Sequence, residues 1–97
     1  MRGQMLYIVT YDISDPKRWR RLFKLMHGYG QWLQLSVFQC RLDARRLAEL
    51  KAGITGIIRQ GHDHVLIVEV GPADHVKPRV TSLGQAFAAL ERKPVIV

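Results

Sequence analysis

The residues of this chain best suited to chemistry are one carboxylate and a row of cations behind it. Asp12 follows the run Met5 to Thr10, which is apolar, aromatic or β-branched and carries no charge. That run is too short for a buried helix and has strand-forming composition. Asp12 thus stands at the carboxyl end of a strand, where the backbone leaves a sheet. Such a place suits a chemical group, and it equally suits an Asp that shapes the turn through an Asx turn. Beyond it, Lys17, Arg21 and Lys24 fall at helical spacing, with Arg18 and Arg20 flanking them. Arg41, Arg45 and Arg46 add cations further along. Side chains of this kind neutralise phosphates, and a solvated helix face would look the same. His27, His62, His64 and His75 show no helical metal-ligand spacing. Cys40 belongs to no nucleophile motif and is most simply a small buried apolar residue. No P-loop or dinucleotide fingerprint occurs.

Composition sets the bounds. The chain has 97 residues, which predicts one small domain over 1–97. So small a domain buries a modest share of its surface, and a homo-oligomer would help it. Hydrophobic residues make up 47%, which suits a folded globule. Fifteen Lys and Arg stand against 8 Asp and Glu, giving +7 and a pI near 10.2. That balance makes nucleic acid the leading partner class, with an anionic membrane surface second. One cysteine excludes an internal disulfide and is compatible with a reducing cytoplasm. No apolar run approaches a membrane span, and Met1 to Gln4 is too short for the charged region of a signal peptide. The expected location is cytoplasmic.

The elements that must position these residues follow in order. Met5 to Thr10 is expected to be a central strand covered on both faces, since it does not alternate cleanly. Asp15 is a good N-cap and Pro16 a good first residue for a helix over Pro16 to His27. Trp19, Leu22, Phe23 and Met26 form its buried stripe, and Gly28 and Gly30 end it. Gln31 to Leu42 is a β region, either one bent strand or a hairpin turning near Leu35-Ser36. Asp43 caps a second helix from Ala44 to about Arg59, buried through Leu47, Leu50, Ile54 and Ile58. Gly53 and Gly56 weaken its second half. Val65 to Val70 is the third strong strand. A weaker edge strand is expected near Arg79 to Leu83, and Gln85 to Lys93 is polar and small-residue rich. Pro94 to Val97 is a β tail that wants a sheet edge, a partner subunit's being an attractive one. The order predicts an α+β, ferredoxin-like βαββαβ sandwich with an extra C-terminal strand. Residues 1–4 are then an N-terminal extension.

The assembled pattern resembles a family. Tyr11-Asp12-Ile13 closes the first strand, the cluster Asp15 to Arg21 opens the helix, and Tyr29-Gly30 ends it. The strand Gln34 to Phe38 follows, and the likeness runs on through VLIVEV to Leu83-Gly84 and the apolar tail. This is similar to the small CRISPR-associated spacer-acquisition proteins, often called CRISPR-associated endoribonucleases. The resemblance implies a homodimer whose C-terminal strands reach onto each other's sheets. It implies a magnesium ion held between the two copies of Asp12, which would then be both metal ligand and catalytic residue. Such an ion prefers a few carboxylates and several waters, so a twofold axis would complete what one Asp12 cannot. The resemblance also implies a bridge between dimers of the larger CRISPR-associated integrase, lying along the DNA to be inserted. Ser36 and Phe38 match the family's strand motif, Ser36 within reach of phosphate or the ion's water shell and Phe38 in core packing; Tyr11 adjoins the site. Two positions depart from the pattern. Trp32, after Gln31, replaces an Arg that many members carry, so its contribution is absent or comes from Arg18, Arg20 or Arg41. Gln39 replaces a common acidic residue.

Three functions remain at this point. One is a metal-dependent endonuclease on RNA or DNA built on Asp12. Another is a non-catalytic scaffold in which Lys17, Arg18, Arg20, Arg21, Lys24, Arg41, Arg45 and Arg46 bind DNA. The third is a general RNA-binding module, for which Tyr7 and Tyr11 alone make no stacking platform.

Overall fold

The computed structural model describes residues 3–84 of the chain. The elements run β1 (Met5–Asp12), α1 (Pro16–His27), β2 (Gly30–Gln34), β3 (Val37–Leu42), α2 (Ala44–Ile57) and β4 (His64–Pro72). The sheet has the order β2-β3-β1-β4, with every neighbouring pair antiparallel. This is the expected ferredoxin-like α+β sandwich, with β1 inside the sheet. The C-terminal tail strand and Gln85 to Lys93 lie outside the described residues.

The alternation of β1 decides what faces what. Tyr7, Val9 and Tyr11 are buried and join Phe38, Cys40 and Leu42 of β3 beneath Leu22, Phe23 and Met26 of α1 and Leu50 and Ile54 of α2. Leu6, Ile8, Thr10 and Asp12 point the other way. Of these Leu6 is fully buried, Ile8 and Thr10 are half-buried and Asp12 is exposed. The expectation of a strand covered on both faces is therefore corrected: the helices cover one face. Leu66 and Val68, opposite Thr10 and Ile8, continue the open face and are about half exposed at 49% and 48%. Thr10, with the β-branching of a strand residue, hid the period of two in the sequence.

Both helices begin as expected. Asp15 Oδ2 accepts the Arg18 backbone N–H at 2.9 Å, and Asp43 Oδ1 accepts that of Arg46 at 2.8 Å. Helix α2 stops at Ile57 rather than near Arg59. Gly53 lies where α2 meets α1, and a Cβ there would stand 3.0 Å from Leu25 Cδ2. Gly30 is held by a tighter approach: a Cβ would collide with Cys40 Sγ and the Gln39 carbonyl.

Residues 30–42 form a hairpin, turning at Leu35-Ser36. Leu35 has φ of 41°, the left-handed region, although it is not glycine. One local and two tertiary hydrogen bonds hold the turn there. Trp32 Nε1 donates to the Leu35 carbonyl at 2.9 Å, Trp19 Nε1 donates to Ser36 Oγ at 2.7 Å, and Tyr11 N donates to the Ser36 carbonyl at 3.2 Å. The strand expected near Arg79 to Leu83 does not form among the described residues, where no ladder includes that segment. Pro78 cannot donate to a ladder, and Lys77 and Arg79 deny the segment an apolar face.

Candidate metal and nucleic-acid site

Asp12 is the last residue of β1 and lies on the open face. It is exposed, and its carboxylate accepts no hydrogen bond and closes no ion pair among the described residues. The helix-capping work falls to Asp15 instead. An Asx turn at Asp12 is thus not what the structure shows. In the β1–β4 ladder its partner is His64, also exposed.

The three residues expected around Asp12 lie on the other side of the sheet. Tyr11 is 6% exposed, stacks at 6.4 Å on Phe38 and tilts against Trp19 at 6.3 Å. Its hydroxyl is buried with no hydrogen-bond partner, and burial pushes its pKa upward. Ser36 is occupied by the Trp19 indole, so it braces the hairpin rather than facing Asp12. Phe38 is fully buried in the aromatic cluster with Phe23 and His27, the core role its motif allowed. Cys40 is buried too, which pushes its thiol up to about 11.

The cations divide into two groups. Arg18 Nε and Nη2 bind Asp63 Oδ2 and Oδ1 at 2.7 and 3.1 Å. The Asp63 side chain is fully enclosed and also accepts the Arg59 backbone N–H at 2.8 Å. Those bonds, that from Arg18 foremost, hold its carboxyl below the usual range. Arg46 donates to the Gly28 carbonyl at 2.7 Å and lies 4.6 Å over the Tyr29 ring. It satisfies an orphan carbonyl at the end of α1. Arg45 pairs with Glu49 at 3.3 Å on the surface. Lys17, Arg20, Arg21, Lys24 and Arg41 are exposed and in no ion pair among the described residues. The first four form one stripe along α1, roughly 10 Å from Lys17 to Lys24 at 1.5 Å per residue. Arg41 lies on the open face opposite Leu6, about 20 Å along the strands from Asp12 at 3.3 Å per residue.

Trp32 does not replace an arginine with another cation. Its ring packs edge-on to Phe23 at 5.8 Å while its N–H holds the hairpin turn. Gln39 is 8% exposed and donates to Gln31 Oε1 at 3.4 Å on the open face. His64 escaped the sequence reading because its partnership with Asp12 is one of register, between residues 52 positions apart.

A family model described as "CRISPR associated protein Cas2" matches residues 5–77, a span that includes all six elements. The chain belongs to the Cas2 family. It is 58% identical over 92 residues to a Geobacter sulfurreducens protein named "CRISPR-associated endoribonuclease Cas2", covering 95% of this chain and 97% of that one. A Thermus thermophilus relative, "CRISPR-associated endonuclease Cas2 2", is 41% identical over 68 residues, covering 70% of this chain and 76% of its own. Among solved structures, Streptococcus pyogenes Cas2 superposes with a TM-score of 0.72 at 34% identity, covering 82% of this chain and all of that one. The strand motif that carries Asp12 and the helix that carries the basic stripe both fall within the matched Cas2 region. Among the described residues no helix is long and apolar enough to cross a membrane.

Proposed function

We propose that this Cas2-family protein acts in CRISPR spacer acquisition as a basic homodimer that binds nucleic acid and bridges subunits of the larger integrase. We propose further that it is an endonuclease on RNA or DNA phosphodiesters, dependent on magnesium and on Asp12. The observation that carries the second reading is the state of Asp12: an exposed carboxylate, free of capping duty, at the edge of a sheet face the helices leave open. The relatives' names, endoribonuclease and endonuclease, support it.

The donor chemistry fits the ion. Magnesium takes oxygen ligands and keeps several waters, and one free carboxylate per protomer is a suitable share. Packing two open faces together over Leu66 and Val68 would bury their apolar area, and a twofold axis at the Asp12 end of β1 would set one Asp12 against its copy. A bound ion would supply charge neutralisation at the phosphate and an acidified water. The chain supplies the mount. Asp12 is set by its ladder to β4, and Tyr11 anchors the same strand in the core from below.

Phosphate binding belongs to Lys17, Arg20, Arg21, Lys24 and Arg45, with Arg41 on the other face. Arg18 and Arg46 leave the expected set because their guanidinium groups are bonded to Asp63 and to the Gly28 carbonyl, whereas the exposed surface pair of Arg45 with Glu49 leaves Arg45 in it. The α1 stripe and Asp12 stand on opposite faces of the sheet. That separation favours, as a second reading, a DNA-binding scaffold whose role survives loss of cleavage.

The test compares wild type with Asp12→Asn for cleavage of RNA and DNA, with Mg²⁺ or chelator, and for spacer integration. Asp12→Asn keeps the size and removes the charge. Cleavage should vanish while melting temperature and DNA affinity hold. Equal cleavage by both proteins overturns the role of Asp12. No cleavage by wild type, with integration intact in both, leaves the scaffold alone.

A further inference from the structure

We propose that His64 is a second donor of the Asp12 site, and that it turns an all-oxygen site into a mixed oxygen and nitrogen one. This rests on the reading of Asp12 as the residue that holds a divalent cation. Three observations lead to it.

The first is register. Asp12 and His64 are the last Cα partners of the β1–β4 ladder. Directly opposite residues of an antiparallel pair share a face, with Cβ atoms about 4.5–5.5 Å apart. The imidazole is therefore the side chain directly across the ladder from the carboxylate. The second is availability. Both residues are exposed, and neither side chain makes a hydrogen bond or ion pair to another described residue, nor do the two side chains close one with each other. Two uncommitted donors on one face of the sheet are the start of a shared cation site. The third is the mount. The residue before His64 is Asp63, whose enclosed carboxylate takes two bonds from Arg18 and one from Arg59 N. The clamp fixes the backbone at the start of β4, while β1 fixes Asp12. Neither donor sits on a loose loop, and a preorganised pair costs little to order on binding.

The chemistry follows from the donor types. Carboxylate and water suit magnesium, whereas imidazole nitrogen suits the later first-row metals. Adding His64 should leave magnesium nearly indifferent and strengthen cobalt or nickel. The clamp also gives Arg18 a purpose: it positions the site and contacts no phosphate.

Isothermal titration of untagged protein with Co²⁺ and with Mg²⁺, without nucleic acid, tests this, with the cobalt absorption spectrum as a second readout. Wild type should bind Co²⁺ more tightly than Mg²⁺. His64→Ala should lose at least about tenfold in Co²⁺ affinity, since loss of even a group that only supports a metal ligand costs about 10–100-fold, and change the cobalt spectrum, with Mg²⁺ affinity unchanged. Asp12→Asn should weaken both metals. Unchanged Co²⁺ affinity and spectrum in His64→Ala overturn the role of His64, even if Asp12→Asn shows that the carboxylate binds. An equal loss in His62→Ala overturns it too, since the metal would then sit on the surface turn. Wild type that takes up neither metal overturns this inference together with the reading of Asp12.

Discussion

The two faces of one sheet divide the labour of this protein. On the covered face, Tyr11, Phe38 and Cys40 pack under Phe23, Leu22 and Met26, and Ser36 is tied to Trp19. On the open face, at the same end of β1, Asp12 and His64 stand in solvent beside Leu66 and Val68. Adjacent residues of one motif, Tyr11 and Asp12, thus belong to different tasks because side chains alternate along a strand. A motif's closeness in sequence to a chemical group is no measure of its closeness to the chemistry.

The sharpest way to break this division is to strike the covered face. Phe38→Ala removes a fully buried ring and should cost about 3–5 kcal/mol, measured by urea denaturation. A loss below about 1 kcal/mol would show that the aromatic cluster is not the mainstay of the core. The open face should answer differently. Leu66→Glu places a charge on the apolar patch and should leave the fold intact but convert the dimer to monomer in light scattering. A variant that remains dimeric would move the interface elsewhere.

A third comparison separates free from engaged cations. Neutralising Lys17, Arg21 and Lys24 together to Gln should reduce the slope of log affinity against log salt on duplex DNA by about 0.9 for each phosphate lost. Arg18→Gln should leave that slope alone and lower the melting temperature, because it abandons the enclosed Asp63. The reverse pattern would return Arg18 to the nucleic-acid surface.

The smallest effect concerns His27, whose ring meets Phe23 at 4.6 Å and Phe38 at 5.2 Å. Burial lowers its pKa from 6.5, so the neutral ring is the one the fold accommodates. Below 6.5 the unfolded chain binds the proton more readily than the native one, and stability falls as pH falls. The contribution should be under about 1 kcal/mol, since the residue is largely exposed and solvent screens it. His27→Phe should flatten the difference between urea midpoints at neutral and mildly acidic pH. An unchanged pH slope would assign it to other groups.

Much of this was legible in the sequence where the signal was local. Asp15-Pro16 and Asp43 marked the helix starts, and the apolar spacing of Trp19 to Met26 marked the buried stripe of α1. The hairpin was not decided, because its turn carries no Asn-Gly and is held by Trp32 within it and by Trp19 and Tyr11 from elsewhere in the fold. The open face of β1 was missed because Ile8 and Thr10 look like core residues. At the candidate site, Asp12 was visible by its place after an apolar run. Ser36 and Arg18 are engaged with Trp19 and Asp63, which the sequence did not reveal: composition tells which groups can hydrogen-bond, and only tertiary structure tells which bonds are already made. His64 was invisible beside Asp12 because strand register is a long-range property.

The Leu35 turn has a consequence for how the molecule reaches its native state. A left-handed leucine costs roughly 1–2 kcal/mol in a chain that has nothing else to hold it. The indole N–H of Trp19, which helps to hold this turn, arrives only when α1 has docked. Until then the turn has only the Trp32 N–H from within the hairpin, so closure of β2 and β3 is expected after the transition state, downstream of the collapse of β1 onto α1. Leu35→Gly, which lifts the local penalty, should then slow unfolding and leave the folding rate nearly untouched.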